Sequence, residues 1–316
     1  MGTWNERGLL QHQSSSSKNK FYANHKPMKK ILGILVLTGL FFSCQKSKES
    51  ASENTSNESF EKERTAFFSN LKAPAEAAAQ LQATAADFNA SLLSNPANAA
   101  QYATDEVKAA ANLGIYLADL NYSIAFKQSN NSKDLFAAAH SLSKAIGVEQ
   151  SILDFLMKRY SDNLAQNDSV KAVVNELFSK STTGLQGTDR EKLVGIAMSA
   201  YQIENLHLAL GTIEMFPKDI LPDDARIQIL VPVFRMVLEQ RQNVENINGF
   251  LKSIADPNAP NYAYYSTAFE ELLGVYQRLN VDEKIANNQG AELMNDAVVA
   301  ELSEKVKAIR NQVISY

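Results

Sequence analysis

Residues Ala111–Phe126 read ANLGIYLADLNYSIAF, and the pattern inside this stretch decides the fold class. Leu113, Ile115, Leu117, Leu120 and Ile124 spread around most of a helical wheel, while Asn112, Tyr116, Asp119 and Ser123 recur at i, i+4, i+7 and i+11 and form a single polar line. A strand would alternate with period two; a line of this spacing needs a helix. A helix that is apolar on most faces belongs inside a protein, and polar groups carried inside must find partners there.

The same period continues in both directions. Thr104 or Asp105 is placed to cap this helix, which is expected to run to about Lys127 and to be followed by a polar turn, QSNNSKD. On the N-terminal side a short helix carries Phe60, Phe67, Phe68 and Leu71, and an Ala-rich helix from Pro74 aligns Leu81, Ala85 and Phe88 before Asn95–Pro96 stops it. On the C-terminal side helices are predicted over 134–146, with Gly147 as the C-terminal cap, over 149–160 and from the cap Asp168 to Phe178. Thr188 and Glu191 have capping-box spacing and open a long helix with Ile196, Ile203, Leu206, Leu210 and Ile213 on its core face, closed by Phe216–Pro217. Pro222 starts the next stretch, which Pro232 is expected to kink or split before it ends near Ile254, and the last helices cover 262–279 and 291–314. The prediction is an all-α, single compact multi-helix bundle of about nine or ten helices, with an irregular α-hairpin solenoid as the alternative, because short polar turns favour antiparallel neighbours and no fixed repeat is present.

The chain has 316 residues, 45% of them apolar, and one Cys. The first 43 residues hold six basic residues against the single acid Glu6, which leaves 25 basic and 34 acidic residues beyond them, a balance near −9. A domain of that sign repels phosphate backbones, so no nucleic-acid partner is expected. From Met28 the chain runs Met-Lys-Lys, then twelve uncharged residues Ile31–Phe42, then Ser43 and Cys44. A positive start, a short apolar run and a small residue before the cut are the parts of a secretory signal peptide. Twelve helical residues rise about 18 Å, less than the roughly 30 Å hydrocarbon core, so a permanent span is disfavoured.

Phe41-Phe42-Ser43-Cys44 resembles the lipobox of bacterial lipoproteins, with Phe41 where Leu is more usual. The resemblance implies cleavage between Ser43 and Cys44 and acylation of Cys44, with palmitate-type chains holding the protein at a membrane. Each buried methylene contributes about 0.8 kcal/mol, so two or three chains make a lasting anchor. Residues 1–27 fit no part of this plan and read as a misassigned start or a long n-region; residues 28–43 are the signal, 44–58 (CQKSKESASENTSNE) a polar tether, and 59–316 the helical domain. By resemblance to lipoprotein sorting rules, Gln45 in place of Asp directs the chain to the outer membrane of the cell envelope, facing the periplasm, with the cell surface as the alternative. Without Cys44 the mature domain has no thiol chemistry.

Catalytic motifs are scarce. Phosphate loops, HExxH, GxSxG and EF-hand patterns are missing, and no cofactor or metal is expected. The SxxK spacing at Ser69–Lys72 and Ser141–Lys144 lacks its companion motifs and reads as chance. Two polar stripes are better candidates. Asn112, Tyr116 and Asp119 on one helix, and Tyr201, Glu204 and His207 on another, would line a polar pocket if the helices face each other. The competing reading, favoured here, is a structural network in which these groups satisfy one another. His140 and His207 are the two histidines beyond the signal, too few for a His-rich zinc site. Tyr262, Tyr264 and Tyr265 read as packing residues rather than a contact surface.

The run Asn112-x-Gly114-x-Tyr116-x-x-Asp119-Leu120-x-Tyr122, downstream of a lipobox, is similar to that of an uncharacterised family of Bacteroidota lipoproteins. Tyr201, Ile203 and Glu204 match loosely a later aromatic-apolar-Glu helix of that family, without its Gly-Gly-Trp lead-in. The resemblance covers about a third of the chain and implies an all-helical envelope protein with no assigned activity. The expectation is a non-enzymatic, membrane-anchored interaction module for an envelope protein or polymer. The alternative is a small-ligand-binding lipoprotein with its pocket between the 105–127 and 188–213 helices. A hydrolase using Asp119, Glu204 and His207 stands third.

Overall fold

The structure is a computed structural model of the chain and describes residues 61–67, 75–83, 87–163, 166–217, 221–254, 260–279, 283, 287 and 297–315. All of them fall within one unit, Lys48–Tyr316. Cys44, Ser43 and the whole of 1–58 lie outside the described residues, as do Ser69, Lys72 and Ala85.

Every regular element among the described residues is helical. A helical segment at 61–67 precedes α1 (Ala75–Ala83), two 3-10 turns (Ala90–Leu92 and Pro96–Asn98), α2 (Ala99–Tyr102), α3 (Glu106–Ala125), α4 (Ser129–Ala145), α5 (Gln150–Asp162), α6 (Asn167–Thr183), α7 (Glu191–Met215), α8 (Asp223–Glu239), α9 (Arg241–Ile254), α10 (Pro260–Arg278) and α11 (Ala297–Ile314). The fold is an all-α multi-helix bundle. Helices α3 and α7 lie side by side at its centre, α4 covers α3, and α8, α9 and α11 pack on α7. The last helix thus returns to the middle of the chain, which a solenoid of neighbour-only contacts would not do. None of the helices among the described residues is long and apolar enough to cross a membrane.

The central contact is set by Gly114. A Cβ built there would lie 2.0 Å from the Ala197 carbonyl oxygen and 2.8 Å from the Tyr201 nitrogen, so the two backbones touch at this point and no side chain larger than hydrogen fits. Around it α3 buries nearly every residue from Ala109 to Ala125. Asp105 caps α3 as expected, its carboxylate accepting the Lys108 N–H at 2.9 Å. Tyr265 is buried, and Tyr262 and Tyr264 pack partly buried against the core.

Several boundaries differ from the sequence expectation. Helix α4 begins at Ser129 rather than Asp134, because Lys127 adopts a left-handed backbone (φ 59°) and turns the chain at once. The Gln128 N–H then bonds the Ser123 carbonyl (2.8 Å) and the Lys127 N–H that of Ile124 (3.0 Å), the two bonds of a Schellman motif. Gly147 (φ 96°) closes α4 with the same pair of bonds, from Val148 to Ser143 and from Gly147 to Lys144, each 3.0 Å. Thr188 and Glu191 do not close a capping box: Thr188 Oγ1 accepts from Arg190 N (3.2 Å), and the Glu191 carboxylate reaches Gly187 N instead. Pro232 does not split its helix. It sits on the exposed face of α8 with Gln228, so the carbonyl it leaves unbonded faces water, and the break comes at Gln240. Asn95–Pro96 does not end an Ala-rich helix either. Helix α1 is described only to Ala83, residues 87–89 belong to no helix, and Asn95 instead caps the 3-10 turn that Pro96 begins, accepting from Ala97 N at 3.0 Å.

Candidate functional site

Residues Asn89–Asn95, containing the first 3-10 turn, form a strap across α3 and α7. Core side chains hold its backbone. Tyr122 Oη accepts from Asn89 N (3.1 Å), Asp119 Oδ2 accepts from Ser94 N (2.9 Å), and Tyr116 Oη donates to the Asn95 carbonyl (2.8 Å). Arg310 Nη2, from α11, donates to the Leu92 carbonyl (3.1 Å) and to Ser94 Oγ (2.8 Å). Leu92 is buried and fills the space beside Gly211, where a Cβ would come 2.5 Å from Leu92 Cδ2.

Beneath the strap two carboxyl groups meet. Glu204 is fully buried and takes Arg310 in a two-pronged grip, Nε to Oε2 at 2.7 Å and Nη2 to Oε1 at 3.0 Å. Asp119, also fully buried, lies within hydrogen-bonding reach of Glu204. Its Oδ1 receives no N–H or O–H donor. Desolvation by burial and then the neighbouring Glu204 charge hold the Asp119 carboxyl well above the usual carboxylate range.

The structure therefore joins Asp119 to Glu204 and distributes the other four residues of the sequence-predicted set around them. Tyr116 serves the strap, and burial raises its phenol above the ordinary range. Asn112 Nδ2 donates to the Lys108 and Val313 carbonyls (both 3.0 Å), and Tyr102 Oη donates to that of Ile314 (2.8 Å), so these two side chains satisfy carbonyls in the last turn of α11. Tyr201 turns the other way and packs its ring on Phe178, centroids 5.9 Å apart. His207 is half-buried at the rim; burial lowers its pKa, against the pull of the Glu204 charge, and it bonds the backbone of Leu92. Ser123 continues the polar line, buried, with its hydroxyl unpartnered.

No protein-family model, curated protein or solved structure matches this chain. The site must be understood from its own residues. Sequence reasoning missed Arg310, although the signal was present: an Arg inside the apolar stripe Leu302, Val306, Ile309, Val313 of α11 has nowhere to go but inward. It also missed Ser94, whose bond to Asp119 depends on a loop path that no local pattern encodes.

Chemically, the cluster holds one guanidinium, one carboxylate paired with it, and one further carboxyl group. The Glu204–Arg310 pair ties α7 to α11, and Asp119 and Arg310 fasten the strap to α3 and α11. Among the described residues no group of three or more His, Cys, Asp or Glu is placed to hold a metal ion.

Proposed function

We propose that this chain is an envelope lipoprotein, anchored through acylated Cys44, whose helical bundle serves as a non-enzymatic interaction module. The observation that carries the reading is the segment Met28–Cys44: two lysines, twelve uncharged residues, then Ser43 and the chain's single Cys. The polar tether that follows would reach roughly 20 Å from the membrane, enough to let the bundle meet a partner. The interior supports the same view, because its buried charges are spent on joining helices and strap to one another. The resemblance to uncharacterised Bacteroidota lipoproteins, through the Asn112–Tyr122 run, agrees with an outer-membrane, periplasm-facing address. Metabolic labelling with an alkyne palmitate tests the anchor. The wild-type band takes the label and Cys44→Ala loses it; an equal signal in both, or a freely dissolved cytosolic protein, overturns the reading.

The meeting of Asp119 and Glu204 favours a second reading, a small-ligand site between α3 and α7. Such a ligand would have to displace Leu92 and Ser94 from Arg310, so binding would open the strap.

A further inference from the structure

We propose that Asp119 and Glu204 share one proton, carried on Asp119 Oδ1 and donated to Glu204, and that this proton is the catch that keeps the strap closed. Both Glu204 oxygens already accept from Arg310, and Asp119 Oδ2 accepts the Ser94 N–H. That leaves Asp119 Oδ1, in a fully buried side chain, with no donor. An ionised carboxylate only accepts, so two of them side by side under one guanidinium leave an uncompensated charge and a repulsive contact. A single proton removes both problems. The cluster then sums to zero charge, Asp119 Oδ1 becomes a donor, and Glu204 accepts from Asp119 and Arg310 together.

The groups facing Asp119 confine the response to this proton. From α7 come Glu204 and, behind it, His207; from α11 comes Arg310; from the strap comes Ser94; on α3 itself stand Tyr116 and Tyr122. His207 lies below its ordinary range and is neutral throughout the alkaline window, while burial pushes both tyrosines up and keeps them protonated there. Asp119 moves upward, so its contribution to stability is complete in acid and is lost as pH rises through its folded value. The strap is the first element to yield. Its hold on the core rests on side-chain bonds, and one of these is the Ser94 N–H to Asp119 itself.

Deuterium exchange of a peptide covering residues 87–97 in the purified full-length chain, corrected for intrinsic exchange chemistry, reads the catch directly. As pH is raised from about 6 into the alkaline range the wild-type strap should lose protection, by about tenfold for each pH unit beyond the linked ionisation. Asp119→Asn, which mimics the protonated acid, should stay flat across the window. Unchanged protection in the wild type, or the same profile in Asp119→Asn, overturns the proposal. Should the variant fail to fold, the infrared carbonyl stretch of the wild type decides. A protonated carboxylic acid persisting at neutral pH supports the shared proton, and its absence refutes it.

Discussion

Helix α9 and the α3–α7 pair obey one helical period yet place their polar residues in opposite ways. In α9 the inward face is Val244, Ile247, Phe250, Leu251 and Ile254, and Asn248 is the one polar residue buried with them, the rest being half-buried or exposed. In α3 and α7 the polar residues lie inside with the apolar ones: Asn112, Asp119, Asn121 and Ser123 on one helix, Ser199, Gln202, Glu204 and Asn205 on the other. An amphipathic helix needs only a core to lie on, because hydrophobic burial is non-directional. A helix buried all round needs matched partners at fixed positions, because each buried polar group left alone costs about 1–3 kcal/mol. The centre of this bundle is therefore specified by pairing, the periphery by patterning.

The sharpest way to break that contrast is to neutralise one member of an ion pair in each region. Glu204→Gln removes the charge opposite Arg310 and strands a buried guanidinium, at a cost of about 3–5 kcal/mol. Asp162→Asn acts on the Lys158–Asp162 pair of α5, whose side chains are 75% and 57% exposed, and should change stability by less than about 0.5 kcal/mol. Urea unfolding of both variants checks the ratio; comparable losses would mean that water reaches the centre. Replacing Glu204 and Arg310 together by Leu and Met should restore most of the stability, since the large cost belongs to the unpaired charge rather than to the missing bridge.

A glycine substitution sharpens the contrast further, because the same added methyl should act with opposite sign. Gly114→Ala drives a Cβ into the Ala197 carbonyl and should cost about 1–3 kcal/mol as α3 and α7 separate. Gly274→Ala, inside α10, meets nothing nearer than an Arg278 nitrogen at 3.9 Å and should stabilise by about 0.5–1 kcal/mol through helix propensity. Melting temperatures displaced in opposite directions would confirm that backbone contact, not composition, sets the central pair.

What the sequence revealed follows the same division. The apolar surround of Ala111–Phe126 announced a buried helix, and the line Asn112, Tyr116, Asp119, Ser123 located the polar interior, since both are local and periodic. The partners were not local. Arg310 arrives from α11, 106 positions beyond Glu204, and the strap reaches Asp119 by a path fixed only once Tyr122, Arg310 and Gly211 are in place. Ala-rich composition argued for helix up to Asn95, and tertiary anchoring of Asn89–Asn95 overrode it. The stripe Tyr201, Glu204, His207 mixed two destinations. Glu204 and His207 face the cluster, whereas Tyr201 faces α6, a division that spacing along one helix does not specify.

A smaller effect than either central substitution concerns the two ends of α4, where one motif is built with different residues. Gly147 takes its left-handed conformation without steric cost, whereas Lys127 takes its own with a Cβ pressed toward the neighbouring carbonyl. The Lys127 side chain is exposed, so replacing it sacrifices no core packing. Lys127→Gly relieves the backbone but gains entropy in the unfolded chain, and the balance should be a stabilisation of about 0.5–1 kcal/mol, read as a higher urea midpoint with unchanged slope. A lower midpoint would mean that Lys127 is held by something other than the two bonds of its turn. The α3–α4 corner would then belong with the paired centre of the bundle rather than with its patterned rim.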